Sequence, residues 1–137
     1  MSSEYYPAVK AFIVDKNNLL IIKRSNYSIQ KPGIWEIPGG RLDSKDENQI
    51  FGLKREVKEE TNLDIEVIKP INIREFTRAD NQNIRLTIFL CKTKSIEVKL
   101  SKEHTDYEWI NIKKAKTKLT DFFHKEVDIY LNQINQE

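Results

Sequence analysis

The sequence predicts an α+β fold in one domain. Two observations carry that prediction: apolar runs rich in β-branched residues come in groups, and two segments switch to a helical period. The resulting order, ββ-β-α-ββ-β-α, groups strands instead of alternating them strictly with helices. A length of 137 residues suits a single domain over 1–137. Hydrophobic residues at 39% and charged residues at 32% suit a soluble globule with a modest core. That balance excludes collagen-like, low-complexity and disulfide-framework chains.

The first two strands are predicted at 8–14 and 19–23, around the turn Asp15-Lys16-Asn17-Asn18. Residues 25–33 are polar, with Lys31-Pro32-Gly33 as a turn signal, and are predicted as a loop. A short strand at 34–37 is stopped by Pro38-Gly39-Gly40. From 48 to 61, Ile50, Leu53 (or the stem of Lys54) and Val57 mark one helical face. Gly52 is unexpected there, since glycine inside a helix costs about 1 kcal/mol against alanine. Long strands follow at 65–77 and 84–93, joined by residues 78–83. Residues 100–105 are polar, and 107–112 alternate as a strand. A closing helix is predicted with Leu119, Phe122, Phe123, Val127, Tyr130 and Ile134 on one apolar face that closes the core.

Several function classes are excluded at this level. Cys91, the single cysteine, has no partner in the chain and is predicted as a buried strand residue. No apolar run approaches the roughly 18 residues of a membrane span, and Glu4, Pro7 and Lys10 interrupt the amino end where a signal peptide would need an apolar core. A cytoplasmic location with no membrane partner is the expectation. The net charge is +2 with signs interspersed, so no basic stripe speaks for nucleic acid. P-loop, GxGxxG, CxxC and nucleophile-elbow patterns are all missing.

The exception to interspersed charge is the carboxylate cluster at 56–60. Glu56 and Glu60 are four apart and Glu56 and Glu59 three apart, so a helix projects all three from one side. Like charges at that spacing cost about 0.2–0.5 kcal/mol in an isolated helix, and the nearby helix C-terminus disfavours negative charge. A divalent cation would offset both, and hard oxygen ligands suit Mg²⁺ or Mn²⁺. The alternative is a solvated acidic face neutralised by Lys54, Arg55 and Lys58.

The flanking residues add a pattern. Glu47, seven residues, then Arg55-Glu56-Val57-Lys58-Glu59-Glu60-Thr61, with Leu63 beyond and Trp35-Glu36-Ile37-Pro38-Gly39-Gly40 leading in, resembles the signature of the Nudix (MutT-like) hydrolase family. The resemblance implies the Nudix fold, a mixed β-sheet sandwiched between helices. Two departures stand out. Six residues instead of five separate Gly40 from Glu47, and the extra one is placed in the loop Asp43-Ser44-Lys45-Asp46. Aligning Asp46 instead would alter the distance to Arg55. Asn62 replaces the closing glycine and is the next-best residue for a left-handed helix cap.

Carried over by motif position, the resemblance implies that Glu56, Glu59 and Glu60, with the carbonyl of Gly40, bind Mg²⁺, for which Mn²⁺ could substitute. Glu47 and Arg55 would form an ion pair holding the loop to the helix. A diphosphate repels an attacking hydroxide, so the cation would neutralise its oxygens while a carboxylate takes the water's proton. That carboxylate is either a signature Glu or Glu103, whose place six residues before Trp109 resembles the loop Glu of MutT-like members. His104 and His124 have no metal-ligand partner at a suitable spacing and are expected on the surface or in a helix. Arg24 and Arg41 are candidate phosphate contacts, and Tyr27, Phe76 and Arg78 candidate base or sugar contacts.

The function implied is metal-dependent hydrolysis of a nucleoside diphosphate linked to another group, a nucleoside triphosphate or a nucleotide sugar. Such a substrate is a small molecule, with no nucleic-acid partner. None of the subfamily marks for ADP-ribose, dinucleoside polyphosphate or NADH enzymes stands beside the signature. The competing reading is a Nudix-like sensor that binds nucleotide without cleaving it. Monomer and homodimer both remain open.

Overall fold

β1 (Tyr6–Asp15) is buried on both faces because its side chains alternate between two apolar layers. Ala8 and Phe12 join one cluster, and Val9, Ala11 and Ile13 the other. β2 (Asn18–Arg24) divides in the same way, Leu19 and Ile21 against Leu20 and Ile22. The turn between them places Lys16 (φ 48°) and Asn17 (φ 67°) in the left-handed region, as a two-residue hairpin loop requires. The computed structural model describes residues 4–27 and 31–136. Part of the loop expected at 25–33, residues 28–30, therefore lies outside the described residues.

The remaining elements are β3 (Trp35–Glu36), β4 (Gly39–Arg41), α1 (Gln49–Thr61), β5 (Ile65–Thr77), β6 (Asn83–Thr93), β7 (His104–Asn111) and α2 (His124–Asn135). Two 3₁₀ segments, Ile112–Thr117 and Asp121–Phe123, precede α2. The strand order is β3-β2-β1-β6-β5, with β4 beside β1 and β7 beside β2. β1 and β6 run parallel and the other pairs antiparallel, so the sheet is mixed. One apolar cluster packs under α1 through Leu53 and Val57, the other under the second 3₁₀ segment through Phe123 and under α2 through Val127. The expected sheet between helices is therefore what the chain forms.

β1 pairs with β2 only at Val14–Leu19 and Asp15–Asn18. The two strands then part, which frees Ala8, Val9 and Lys10 to pair with Arg41, Gly40 and Gly39 of β4. This divergence sets the Pro38-Gly39-Gly40 corner against the middle of the sheet.

Several expectations shift. β4 was not foreseen, because a Gly-Gly pair has poor strand propensity and is held by backbone pairing alone. β7 starts at His104 instead of 107. Ile50 is 44% exposed, since burial along α1 begins only at Gly52. The closing helix is shorter than its apolar pattern, because the Thr120 N–H donates to the Trp35 carbonyl at 2.9 Å and ties that stretch to β3. Leu119 and Phe123 are nonetheless buried, and Phe122 and Tyr130 pack against the same core. Cys91 lies fully buried in β6, where burial pushes its thiol up to about 12. Among the described residues no helix is long and apolar enough to cross a membrane.

Candidate active site

The corner between β3 and β4 meets the last two turns of α1. Gly39 has φ +136°, and a Cβ there would stand 2.2 Å from the Val9 carbonyl oxygen, so only glycine fits. Its N–H donates to Glu60 Oε1 at 2.9 Å. At Gly40 an added Cβ would lie 3.1 Å from Glu56 Oε2, so the bare backbone lets that carboxylate approach. Glu56 and Glu60 thus converge on Gly39-Gly40 from one face of α1.

Glu60 is 6% exposed. Burial pushes its carboxyl up to about 8, against the pull of Lys10 and the Gly39 N–H, while Glu36 and Glu56 push further upward. Glu56 is also raised, by burial first and by Glu59, with Arg55 and Lys10 opposing. Two neighbouring carboxyls that resist ionisation form a site short of positive charge, and an oxygen-coordinated divalent cation fits that donor set.

Arg55 organises the flank of this site. It forms a bidentate pair with Asp46, Nε to Oδ1 and Nη2 to Oδ2, both at 2.8 Å. It also reaches Glu56 Oε1 at 3.2 Å and both oxygens of Glu59 at 3.1 and 3.2 Å. Glu59, with its side chain 59% exposed, therefore sits with Arg55 and not against Gly40.

The expected Glu47–Arg55 pair is corrected here. Glu47 is exposed, and Asp46, with its side chain 1% exposed, is the partner of Arg55. The Arg55 hydrogen bond, with the Asp43 N–H, holds the Asp46 carboxyl down at about 2. Helix α1 begins only at Gln49, capped by Asn48 Oδ1 on the Phe51 N–H, so the extra residue is absorbed between Asp46 and the helix. Gly52 makes this possible: a Cβ there would lie 2.3 Å from Leu42 Cδ2 and 3.0 Å from Asp46 Cγ. The cost of glycine in the helix is offset by the close seating of this loop. Asn62 caps α1 with φ 63°, as expected of the residue in the closing-glycine position. Asp46→Asn is expected to weaken divalent-cation affinity about 10–100-fold by calorimetry. Glu47→Gln should leave it unchanged; the reverse ranking would restore the first alignment.

A second polar group lies behind the corner. Glu36, 6% exposed in β3, accepts from Lys10 Nζ at 3.2 Å and Arg24 Nη1 at 3.0 Å, and meets His104 Nε2 at 2.8 Å. Burial raises this carboxyl, but Lys10, His104 and Arg24 together outweigh it and hold Glu36 well below the usual carboxylate range. Lys10 Nζ also donates to the carbonyls of Ile37 and Gly39 at 3.1 and 3.2 Å. His104 is 4% exposed and lies in a strand, neither on the surface nor in a helix as expected, because β7 extends back to include it opposite Arg24. Its ring, Glu60 and exposed Glu103 have ligating atoms within 4.8 Å of one another. His124 opens α2, with Nε2 at 2.8 Å from the Leu119 carbonyl.

The candidate substrate contacts scatter. Arg24 reaches the corner through Glu36. Arg41 stacks 4.3 Å over Tyr6 and donates to Gln82 at 2.7 Å, beside the turn that holds Arg78. Arg78 pairs with Asp80 at 2.9 Å. Phe76 packs edge-on against Phe122 at 5.1 Å, and Tyr27 is 95% exposed. Sequence reasoning does not reach Lys10, Glu36 or His104 as site residues, and it sets Asp46 aside as an alternative alignment. Only Asp46 had a signal, its five-residue distance from Gly40.

The NUDIX domain family pattern matches residues 4–131. A MutT protein from Methanosarcina mazei Go1 superposes with a TM-score of 0.83 at 26% identity, covering 100% of this chain and 99% of its own. A MutT-like protein of Streptomyces ambofaciens is 28% identical over 109 residues, 80% of this chain and 65% of its own length. Nudix hydrolase 5 of Arabidopsis thaliana is 25% identical over 99 residues, 72% of this chain and 32% of its own. The chain thus spans about a third and just under two thirds of these two relatives.

Proposed function

The chain belongs to the NUDIX domain family, and on that premise we propose that it hydrolyses a diphosphate bond in a nucleoside diphosphate linked to another group. A nucleoside triphosphate or a nucleotide sugar is the substrate class. The observation that carries this reading is the convergence of Glu56 and Glu60, both with raised carboxyl pKa, on the bare backbone of Gly39-Gly40.

Glu56, Glu60 and the Gly40 carbonyl would hold a divalent cation, Mg²⁺ or Mn²⁺. When bound, it neutralises diphosphate oxygens and acidifies water. Arg55 keeps Glu56 turned to the corner and holds the exposed carboxylate of Glu59 by both oxygens. We assign the water's proton to Glu59, the solvent-open signature carboxylate, one helical turn from Glu56 and adjacent to Glu60. Glu103 lies on the facing loop and is the competing base. Arg24 offers a guanidinium at the phosphate end, and Phe76 an aromatic face for a base. The proposed partner is a small nucleotide and not nucleic acid, since the charges are interspersed.

A screen for phosphate and diphosphate release over nucleoside triphosphates, nucleotide sugars, ADP-ribose and dinucleoside polyphosphates, with Mg²⁺ or Mn²⁺, tests the reading. Turnover of one class is expected, with kcat lowered about 10²–10⁴-fold in Glu59→Gln and much less in Glu103→Gln. The opposite ranking moves the base to Glu103. Tight nucleotide binding with no turnover of any member would favour the sensor.

A further inference from the structure

The second polar group has a feature that the hydrolase reading does not use. The carboxylates of Glu60 and Glu103 and a ring nitrogen of His104 come within 4.8 Å of one another. The His104 side chain is fully buried, yet among the described residues its Nδ1 has no hydrogen-bond partner. A buried nitrogen left unpaired is uncommon and calls for a ligand or a water. Its other nitrogen, Nε2, is committed to Glu36 Oε2 at 2.8 Å. Lys10 and Arg24 bind the same carboxylate and keep it an acceptor. An ionised carboxylate only accepts, so Nε2 is the nitrogen that donates to Glu36, and Nδ1 is the ring atom left to face a ligand. A metal-binding imidazole has this arrangement, one nitrogen free and the other donating to a carboxylate that fixes ring and tautomer.

We propose that Glu60, Glu103 and His104 form a mixed carboxylate–imidazole site for a first-row transition dication in preference to Mg²⁺, with Glu36 as the positioning residue for the His104 ring. The proposal rests on the hydrolase reading in one respect only, that Glu60 faces a cation. An all-oxygen set suits Mg²⁺, whereas an imidazole nitrogen favours transition ions, whose affinities climb from Mn²⁺ toward Co²⁺. Glu103 is exposed on its loop, which gives an ion an approach from solvent.

The test uses the full chain stripped of metal. Bound Mn²⁺ is read for hyperfine coupling to an imidazole nitrogen, and Co²⁺ is titrated by its visible absorption. Nitrogen coupling is expected in the parent protein and lost in His104→Gln, with Co²⁺ binding about 10–100-fold weaker. Mg²⁺ affinity should stay within about threefold, because magnesium takes oxygen ligands. Glu103→Gln, at an exposed position that folding does not need, should also weaken Co²⁺. Absence of nitrogen coupling in the parent protein, or equal losses for Mg²⁺ and Co²⁺ in the His104 variant, would overturn the proposal. Cation binding that depends on Glu56 but shows no nitrogen would overturn it alone and leave the hydrolase reading standing. If no dication binds at all, both fall.

Discussion

Glu60→Gln is expected to abolish turnover and, in the metal-free protein, to raise stability at alkaline pH. The Glu60 carboxyl has an ordinary value of 4.5 and is pushed up to about 8 in the fold, chiefly by burial. Below 4.5 it is protonated in both folded and unfolded chains and contributes nothing to pH dependence. Between 4.5 and 8 the unfolded chain releases the proton while the folded chain keeps it, so stability falls as pH rises. Above 8 the full penalty is present, with a ceiling of about 5 kcal/mol for a shift of that size. Glutamine keeps the acceptor for the Gly39 N–H and removes the charge. Urea unfolding in EDTA from pH 5 to 9 should therefore show a sloping parent and a flatter variant, crossing toward the variant at high pH. Saturating Mg²⁺ should flatten the parent as well, since a cation compensates the same charge. Identical slopes in parent and variant would mean that Glu60 is ionised without strain, and the corner would lose its main mark as a cation site.

Glu126→Ala is expected to cost about 3 kcal/mol with no direct effect on the chemistry, because it removes the fully buried carboxylate that pairs with the partly buried Arg74 guanidinium. Glu126 is fully buried on α2 and accepts from Arg74 Nη2 at 3.0 Å and Asn72 Nδ2 at 2.8 Å. Arg74 also donates to the Phe122 carbonyl at 2.6 Å and lies 4.3 Å over the Phe122 ring, while its buried Nε has no partner among the described residues. The pair ties α2 to β5 across the chain. A loss of that size would lower Tm by roughly 10–20 °C for a domain of this size. The double change Arg74→Leu with Glu126→Leu should recover much of the loss, since apolar groups of similar volume often replace a buried pair without penalty. A Glu126→Ala effect under about 1 kcal/mol would show that water reaches the site and screens Arg74.

Local chemistry was legible wherever one residue decided the outcome. The hairpin at Lys16-Asn17, the α1 C-cap Asn62 and the two long strands β5 and β6 follow from turn residues, a capping group and β-branched runs that act within a few positions. The spacing of Glu56 and Glu60 likewise put both carboxylates on one helical face. Elements whose stability comes from a distant partner were less legible. β4 exists because β1 parts from β2 and offers it a backbone edge, and the stretch before α2 is diverted by a single hydrogen bond to Trp35.

The choice between Asp46 and Glu47 shows the same division. Counting residues favoured Glu47, since its distance to Arg55 was kept, but distance along a chain does not fix distance in space. The missing side chain of Gly52 let Leu42 and Asp46 settle against α1 and gave Arg55 a buried, bidentate partner. His104 is the other case: its burial and the Glu36 carboxylate on its ring come from strands far apart in sequence. The sequence by itself determined the fold class, the helix and the carboxylates on it, because periodicity and capping are local. Only the tertiary structure decided which acid holds Arg55, which glutamate stays with it, and which histidine joins the site, because those choices depend on long-range packing.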